Sequence, residues 1–250
     1  MKIKVFGERN TGTNALVSVL RNNSRSIVFP GTLAEISPLT QKKLAVMAKL
    51  GMARSRREKA IDKVFHGRPI IEQWKHAATY FDINTVSNGV HFVFMVRDPL
   101  SWLVGLYKKP HHMLTDKPDG LLDFAEMNWH TVGRDNLPKE TYKPLEMYAA
   151  KLCSYRDLIG KLERKSIDYT IVKFEDFVRS QKDIFEKISF YLDDATDEFK
   201  ELTKSTKDAN KDSNYYRKYY SKEVWRDEFP NVDRVKMPPE REIFSFFGYG

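Results

Sequence analysis

The sequence contains almost no cysteine and no long apolar stretch. Cys153 is the single cysteine in 250 residues, which excludes an intrachain disulfide and a zinc site built from several cysteines. The apolar run at residues 92–96 is far shorter than the roughly 20 residues that cross a bilayer. Residues 1–7 also lack the apolar region of a secretory signal peptide. We therefore expect a cytoplasmic protein without a transmembrane segment.

The charged residues are unevenly distributed. Lysine and arginine total 42 against 34 aspartates and glutamates, a net charge of +8, and most of this excess lies between residues 42 and 68. That segment has nine basic and two acidic residues and so carries +7. It is either a docking surface for an anionic partner or a solvated helix face. Aromatic side chains that could stack on bases are not interleaved with these cations, so we expect no specific nucleic-acid binding.

Hydrophobic residues make up 41% of the chain and aromatic residues 13%, enough to bury a core and to exclude a wholly disordered chain. Apolar, β-rich runs at residues 2–6, 91–96 and 169–172 are separated by helical patterns. This alternation predicts an α/β fold with three layers, a mainly parallel sheet flanked by helices, in a P-loop NTPase-like topology. We expect a single domain over residues 1–250, with a basic helical insertion at about 39–68.

The other elements are predicted from shorter patterns. Strands are expected at 26–29 and 70–74, and helices at 12–20, 39–65 with a break near Gly51, 100–107, 121–127, 145–162, 185–192 and 241–247. Residues 108–138 are rich in proline, glycine, aspartate and histidine, which predicts a long loop around the short helix at 121–127.

The turn after the first strand has the layout of a phosphate-binding loop. Gly7 and Gly12 keep the G-x-x-x-x-G spacing, and successive backbone amides at a helix N-terminus can cradle a phosphate. A nucleoside triphosphate loop would continue with lysine and then serine or threonine, but here Thr13 and Asn14 follow. The next buried strand ends in Arg97, where an NTPase would place a metal-binding acid. The sequence therefore predicts a phosphate site that works without a metal.

Together these motifs resemble the sulfotransferase family that uses 3′-phosphoadenosine 5′-phosphosulfate (PAPS). The similar segments are RNTGTN at residues 9–14, FVFMVRDP at 92–99, YTIVKFEDF at 169–177 and FGY at 247–249. They run from the N-terminus to the C-terminus in the order typical of the family. The resemblance implies PAPS as donor, PAP as product, no metal, and transfer of a sulfuryl group to an acceptor hydroxyl on a carbohydrate or a small metabolite. The basic segment at 42–68 favours an acidic acceptor, such as a polysaccharide, but is equally compatible with a small metabolite.

The resemblance also implies roles for particular residues. The 5′-phosphosulfate would be held by Arg9, Asn10, Thr11, Gly12, Thr13 and Asn14, and the 3′-phosphate by Arg97, Ser101, Arg217 and Lys218. The catalytic set would be His76 as general base, Lys75 near the bridging oxygen, and Arg9, with Glu72 as the reserve base. Two positions depart from the family pattern, because Asn10 replaces its usual lysine or arginine and Gly105 replaces its usual serine.

Other functions remain open at this point. A P-loop kinase or NTPase is the first alternative, since Asp98 follows Arg97 and could hold a metal. A non-enzymatic polyanion-binding protein that uses residues 42–68 is the second. An inactive relative of the sulfotransferases lies between them. His111 and His112 have no third metal ligand at a suitable spacing and are predicted to be loop residues near the mouth of the cleft.

Overall fold

The computed structural model describes residues 1–86, 89–192, 195–196, 198–204 and 211–250. The strands are β1 (Lys2–Gly7), β2 (Ile27–Val28), β3 (Val90–Val96), β4 (Trp129–His130), β5 (Thr141–Tyr142) and β6 (Tyr169–Lys173). The helices are α1 (Thr13–Asn23), α2 (Leu33–Ile36), α3 (Pro38–Lys49), α4 (Arg54–Phe65), α5 (Pro99–Lys108), α6 (Leu121–Glu126), α7 (Pro144–Arg164), α8 (Phe174–Arg179), α9 (Gln181–Ser189), α10 (Ser213–Ser221), α11 (Val224–Glu228) and α12 (Glu242–Phe246).

The main sheet is parallel, with strand order β2-β1-β3-β6. Strand β3 is buried at every residue, which is why it reads as a continuous apolar run instead of alternating with polar residues. Successive side chains of a strand point to opposite faces. Phe92 and Phe94 therefore pack on one face, in a cluster with residues of α5 and α7, while Val93 and Met95 pack on the other, with residues of α1 and α9. This arrangement confirms the predicted α/β fold with helices on both faces of a mainly parallel sheet.

Most of the predicted elements are present, including the pair of helices α3 and α4, which are separated near Gly51. Gly51 has a φ of +84°, a left-handed conformation that glycine adopts without steric cost. In the described part of the chain, none of these helices is both long and apolar enough to cross a membrane.

The predicted strand at residues 70–74 is wrong, because Ile70–Glu72 forms a turn of 3-10 helix. Strand β1 has β2 on one edge and β3 on the other, so the segment cannot pair with β1 itself. It lies beside β1, where Lys4 Nζ donates to the carbonyl of Gln73 at 2.6 Å, and just after the segment the carbonyl of Lys75 accepts from the amide of Gly7 at 2.9 Å. The predicted loop at 108–138 also needs correction, since it contains β4, which pairs with β5 in an antiparallel ladder.

A buried cluster of four charges fastens the first turn of the chain to the rest of the fold. Arg9 donates from Nη2 to both carboxylate oxygens of Asp135, at 2.8 and 2.9 Å, and from Nη1 to Glu8 at 2.5 Å. Lys151 of α7 forms ion pairs with Glu8 and with Asp135. All four side chains are almost fully buried. Burial opposes the ionisation of Asp135, but the charges of Arg9 and Lys151 outweigh it and hold the pKa of Asp135 below its ordinary value.

Replacing Asp135 with alanine tests whether this cluster stabilises the fold. The variant leaves two buried cations with one carboxylate, and removing one partner of a buried ion pair costs about 3–5 kcal/mol. We expect the free energy of unfolding, measured in urea, to fall by about that amount. Asp116→Ala removes an exposed carboxylate and serves as the control. Equal stabilities for the two variants would show that the cluster is not a determinant of stability.

Candidate active site

A cavity of about 560 Å³ adjoins the loop after β1 and Arg97 at the end of β3. In parallel α/β sheets, ligands bind outside the carboxyl ends of the strands. Among the described residues that line this cavity, eight are lysine or arginine, three are histidine and none is aspartate or glutamate. The eight cations are Arg9, Lys75, Arg97, Lys108, Lys109, Arg134, Lys204 and Lys211. A wall with cations and no carboxylates favours an anionic ligand.

The loop between β1 and α1 lines this cavity with Asn10, Gly12, Thr13 and Asn14. Asn10 has a φ of +62° and Gly12 a φ of +86°, so the chain turns twice through the left-handed region. A Cβ atom on Gly12 would lie 2.9 Å from the Phe174 ring, which leaves room only for glycine. Helix α1 begins at Thr13, and the first amides of a helix have no acceptor within the helix. The first turn of α1 contains no acidic residue that could bind these amides. Amides without such a partner are what an anion-binding site at a helix N-terminus requires.

Arg97 is the second anion-binding element of the cavity. Its side chain is 3% exposed, and its Nε donates to Ser101 Oγ at 2.9 Å. Its Nη1 donates to the Asn10 carbonyl at 2.7 Å and its Nη2 to the Tyr220 hydroxyl at 3.0 Å. The guanidinium also lies over the ring of Phe174, 4.4 Å from the centroid.

No carboxylate of the described residues pairs with Arg97 within 4 Å. Of the five N–H donors of an arginine, three bind the groups named above, so two remain for a ligand. A buried arginine with no acidic partner needs an anion to balance its charge. Arg97 is therefore the strongest candidate among the lining residues for direct contact with a phosphate or sulfate group.

Gly105 is explained by the position of this arginine. A Cβ atom at Gly105 would lie 2.9 Å from Nη1 of Arg97, so the guanidinium fills the space that a side chain at position 105 would need. The serine that contacts Arg97 is Ser101, one helical turn earlier in α5. Position 105 is thus a glycine because the arginine lies against the helix there.

Lys75 and His76 lie beside the loop between β1 and α1. The segment that precedes them is a turn of 3-10 helix instead of the predicted strand. The ammonium group of Lys75 donates to Asn14 Oδ1, and burial lowers the pKa of Lys75 to about 8. His76 Nδ1 lies 2.5 Å from the carbonyl of Gly7. Because a carbonyl only accepts, Nδ1 carries the proton and Nε2 is left as an acceptor. Burial, with a smaller contribution from Lys75, lowers the pKa of His76 well below its ordinary value, so the ring is neutral.

Arg9 and Thr11 support the loop from behind. The guanidinium of Arg9 is bound to Glu8 and Asp135, although the residue forms part of the cavity wall. Thr11 is fully buried, and its hydroxyl donates to the Glu8 carbonyl at 2.7 Å. Thr13 lies in the cavity wall. The contacts of Arg9 and Thr11 therefore form a buried layer beneath the loop, and this layer holds the conformation of the loop residues that line the cavity.

The structure does not bring Glu72, Arg217 or Lys218 to the cavity wall. Glu72 accepts from Arg68 at 2.6 Å, and Arg217 pairs with Glu201 at 2.8 Å. Lys218 is exposed. Helix α10 instead presents tyrosines to the cavity, and these are Tyr215, Tyr216, Tyr219 and Tyr220.

Several cavity residues had no place in the sequence-based site. Lys108 and Lys109 come from the end of α5, and their only signal was a pair of lysines before Pro110. Arg134 donates to Asp62 at 2.7 Å and pairs with Glu58, so its position depends on contacts with α4 that are remote in sequence. His111 and His112, predicted as loop residues near the cleft mouth, are part of the wall.

No protein-family model matches the chain, and no curated protein matches it. Among solved structures, the chain is similar to the sulfotransferase domain from the curacin biosynthetic pathway, with 10% identity over 99% of this chain and 97% of that one. The TM-score is 0.48. At this level of similarity, the function of the chain has to be argued from its own side chains.

Replacing Gly105 with alanine tests whether Arg97 binds a ligand from its present position. The added methyl group displaces the guanidinium, and a hydrogen bond to a charged group is worth about 1.5–3 kcal/mol. We expect the Kd for PAP, measured by calorimetry, to rise at least about tenfold. Gly160→Ala in α7, where the nearest atom is 3.6 Å from the new Cβ, is the matched control. An unchanged Kd in Gly105→Ala would remove Arg97 from the binding site.

Proposed function

We propose that the chain is a sulfotransferase that moves a sulfuryl group from PAPS to an acceptor hydroxyl. The observation that carries this proposal is the cationic cavity, in which Arg97 has no acidic partner among the described residues and the described wall has no carboxylate. PAPS bears one anionic group at the 5′ position and another at the 3′ position. The cavity has two separate elements that suit such groups, the amides of the phosphate loop and the guanidinium of Arg97.

The cavity also has the size and the surfaces that a nucleotide needs. Its volume of about 560 Å³ lies within the range of small-molecule and cofactor sites, about 300–1,000 Å³. In this proposal residues 10–14 hold the 5′ end, and Arg97 with Ser101 holds the 3′-phosphate. The aromatic rings of Phe174 and Tyr220 line the cavity beside Arg97 and offer surfaces for the base. The donor supplies the activated sulfuryl group. The bond between its sulfur and the oxygen of the 5′-phosphate breaks, and that phosphate leaves as part of PAP.

The residues of the chain then act on protons and charge. His76 is neutral, with Nδ1 held by Gly7, so its Nε2 takes the proton of the acceptor hydroxyl. Lys75 and the first amides of α1 stabilise negative charge that develops beside Asn14. None of the described wall residues is an aspartate or a glutamate, so no carboxylate of the described wall repels this negative charge.

The acceptor side of the cavity is lined by apolar residues of helices α2 and α4. Leu33, Ile61 and Phe65 line it with apolar surface. The ring of Trp74 is covered by Arg9 and Arg134, at 4.8 and 4.5 Å from its centroid. We propose a compact metabolite with an apolar part and a free hydroxyl as the acceptor.

A kinase that uses a metal and ATP is supported less well. Asp98, the acid after β3, accepts from the amide of Ser101 at 2.7 Å and caps helix α5. It is absent from the described cavity wall, so the position that an NTPase uses for a metal ligand serves helix capping instead.

Binding of PAP in the presence of EDTA is the test of this proposal. A ligand at 100 times its Kd stabilises a fold by about 2.7 kcal/mol, so PAP should raise the Tm visibly. Arg97→Ala should lose this response, while Arg156→Ala, which removes an exposed arginine of α7, should keep it. AMP lacks the 3′-phosphate and should give a smaller rise.

Two results would contradict the proposal. A Tm rise with ATP that requires Mg²⁺, without a response to PAP, would favour the kinase. No response to any of these nucleotides would favour an inactive relative or a polyanion-binding protein.

The pH dependence of PAP binding follows from Lys75. Its pKa is lowered to about 8, so the ammonium group is present below pH 8 and is lost as the pH rises through that value. The affinity should be close to its full value at pH 7, should be about twofold lower by pH 8, and should fall above that by at most about tenfold per pH unit. Lys75→Arg keeps its charge and should remove the dependence, whereas Lys182→Arg, at an exposed position of α9, should retain it. An alkaline fall that persists in Lys75→Arg would assign it to another group.

A further inference from the structure

The outer side of helix α3 is an apolar stripe with no partner in the described structure. Leu39 is 81% exposed, Val46 56% and Leu50 76%. Helix α3 buries none of its residues. The three aliphatic residues are spaced i, i+7 and i+11, which places them within about 40° of one another around the helix. They lie on one side of α3 and of the residue that follows it, and are called here the apolar ridge.

Cations surround the apolar ridge. Residues 37–57 contain six lysines and arginines and no aspartate or glutamate. Lys42, Lys43 and Lys49 are exposed and flank the ridge on α3, and Arg54 and Arg56 are exposed at the start of α4. None of these five residues forms an ion pair with a described residue. The surface thus combines an aliphatic centre with a cationic border.

The inner side of the same helices holds them to the body of the protein. Glu58 and Asp62, the two acids of the basic segment, both pair with Arg134. Phe65 is buried in a cluster with Leu33 and Trp74. Because both acids are used inward, their charges do not neutralise the outer cations. These contacts of α4 hold the hairpin of α3 and α4 against the body of the protein. The ridge and the cations then lie on its outer side.

We infer that this surface binds the face of an anionic lipid bilayer, with α3 lying in the plane of the membrane. In such binding the aliphatic side chains enter the boundary between headgroups and acyl chains, and the lysines contact anionic headgroups. A nucleic acid would pair with the cations but would offer no apolar surface to bury the three exposed aliphatic residues. A second copy of the chain would bring like charges together, which opposes association. The ridge is separate from the catalytic cavity, so this inference does not depend on the proposed function.

Sedimentation with lipid vesicles tests the inference. We expect the full chain to bind phosphatidylcholine vesicles that contain about 30% phosphatidylserine, and to bind pure phosphatidylcholine at least about tenfold more weakly. The variant Leu39→Ser/Val46→Ser/Leu50→Ser should lose at least about tenfold in affinity, as should Lys42→Glu/Lys43→Glu/Lys49→Glu. All six positions are exposed, so both variants should keep the Tm of the parent chain.

The control variants change exposed residues of helix α9 and the residue that follows it. Phe190→Ser changes an aromatic residue that is 85% exposed, and Lys182→Glu/Lys187→Glu reverses two exposed lysines of α9. Both should bind the anionic vesicles like the parent. Three results would overturn the inference: no binding to the anionic vesicles, equal loss in the control variants, or a change from dimer to monomer in the leucine and valine variant. The last would assign the ridge to self-association.

Discussion

The ion pairs among Glu8, Arg9, Asp135 and Lys151 are the constraint on which the site depends. They join the loop between β1 and α1 to α7 and to the turn that ends at Asp135, through side chains that are almost completely buried. Two carboxylates and two cations give a cluster without net charge, which makes its burial tolerable. With the base of the loop held in this way, the loop residues that line the cavity keep a fixed position, as electrostatic stabilisation of a ligand requires.

The distribution of charge around the cavity follows from where the acids are used. Asp135 and Glu8 lie behind the wall, Glu58 and Asp62 bind Arg134, and Asp98 caps α5. Each acid neutralises or orients a neighbouring group, and none of them faces the ligand space of the described wall. The positive potential of the cavity is thus produced by the placement of the acids as much as by the cations themselves.

The hairpin of α3 and α4 has two surfaces with different partners. Its inner surface contributes Ile61 and Phe65 to the cavity and fastens Arg134. Its outer surface carries the apolar ridge and the exposed lysines. The same pair of helices thereby shapes the acceptor side of the proposed active site and presents the surface inferred to contact lipid. The excess charge of this segment belongs to the outer surface, since both of its acids are turned inward.

Local sequence patterns by themselves determined β1, the loop with its two glycines, α1, and the buried strand that ends in Arg97. These depend on apolar periodicity and on backbone conformations that are decided within a few residues. Tertiary contacts decided the rest. Arg9 lies in a buried cluster because Asp135, 126 residues away, reaches it. The segment at 70–74 lies beside β1 through contacts such as that of Lys4 Nζ with the carbonyl of Gln73, 69 residues away. Such outcomes depend on which distant groups meet, and no local pattern encodes that.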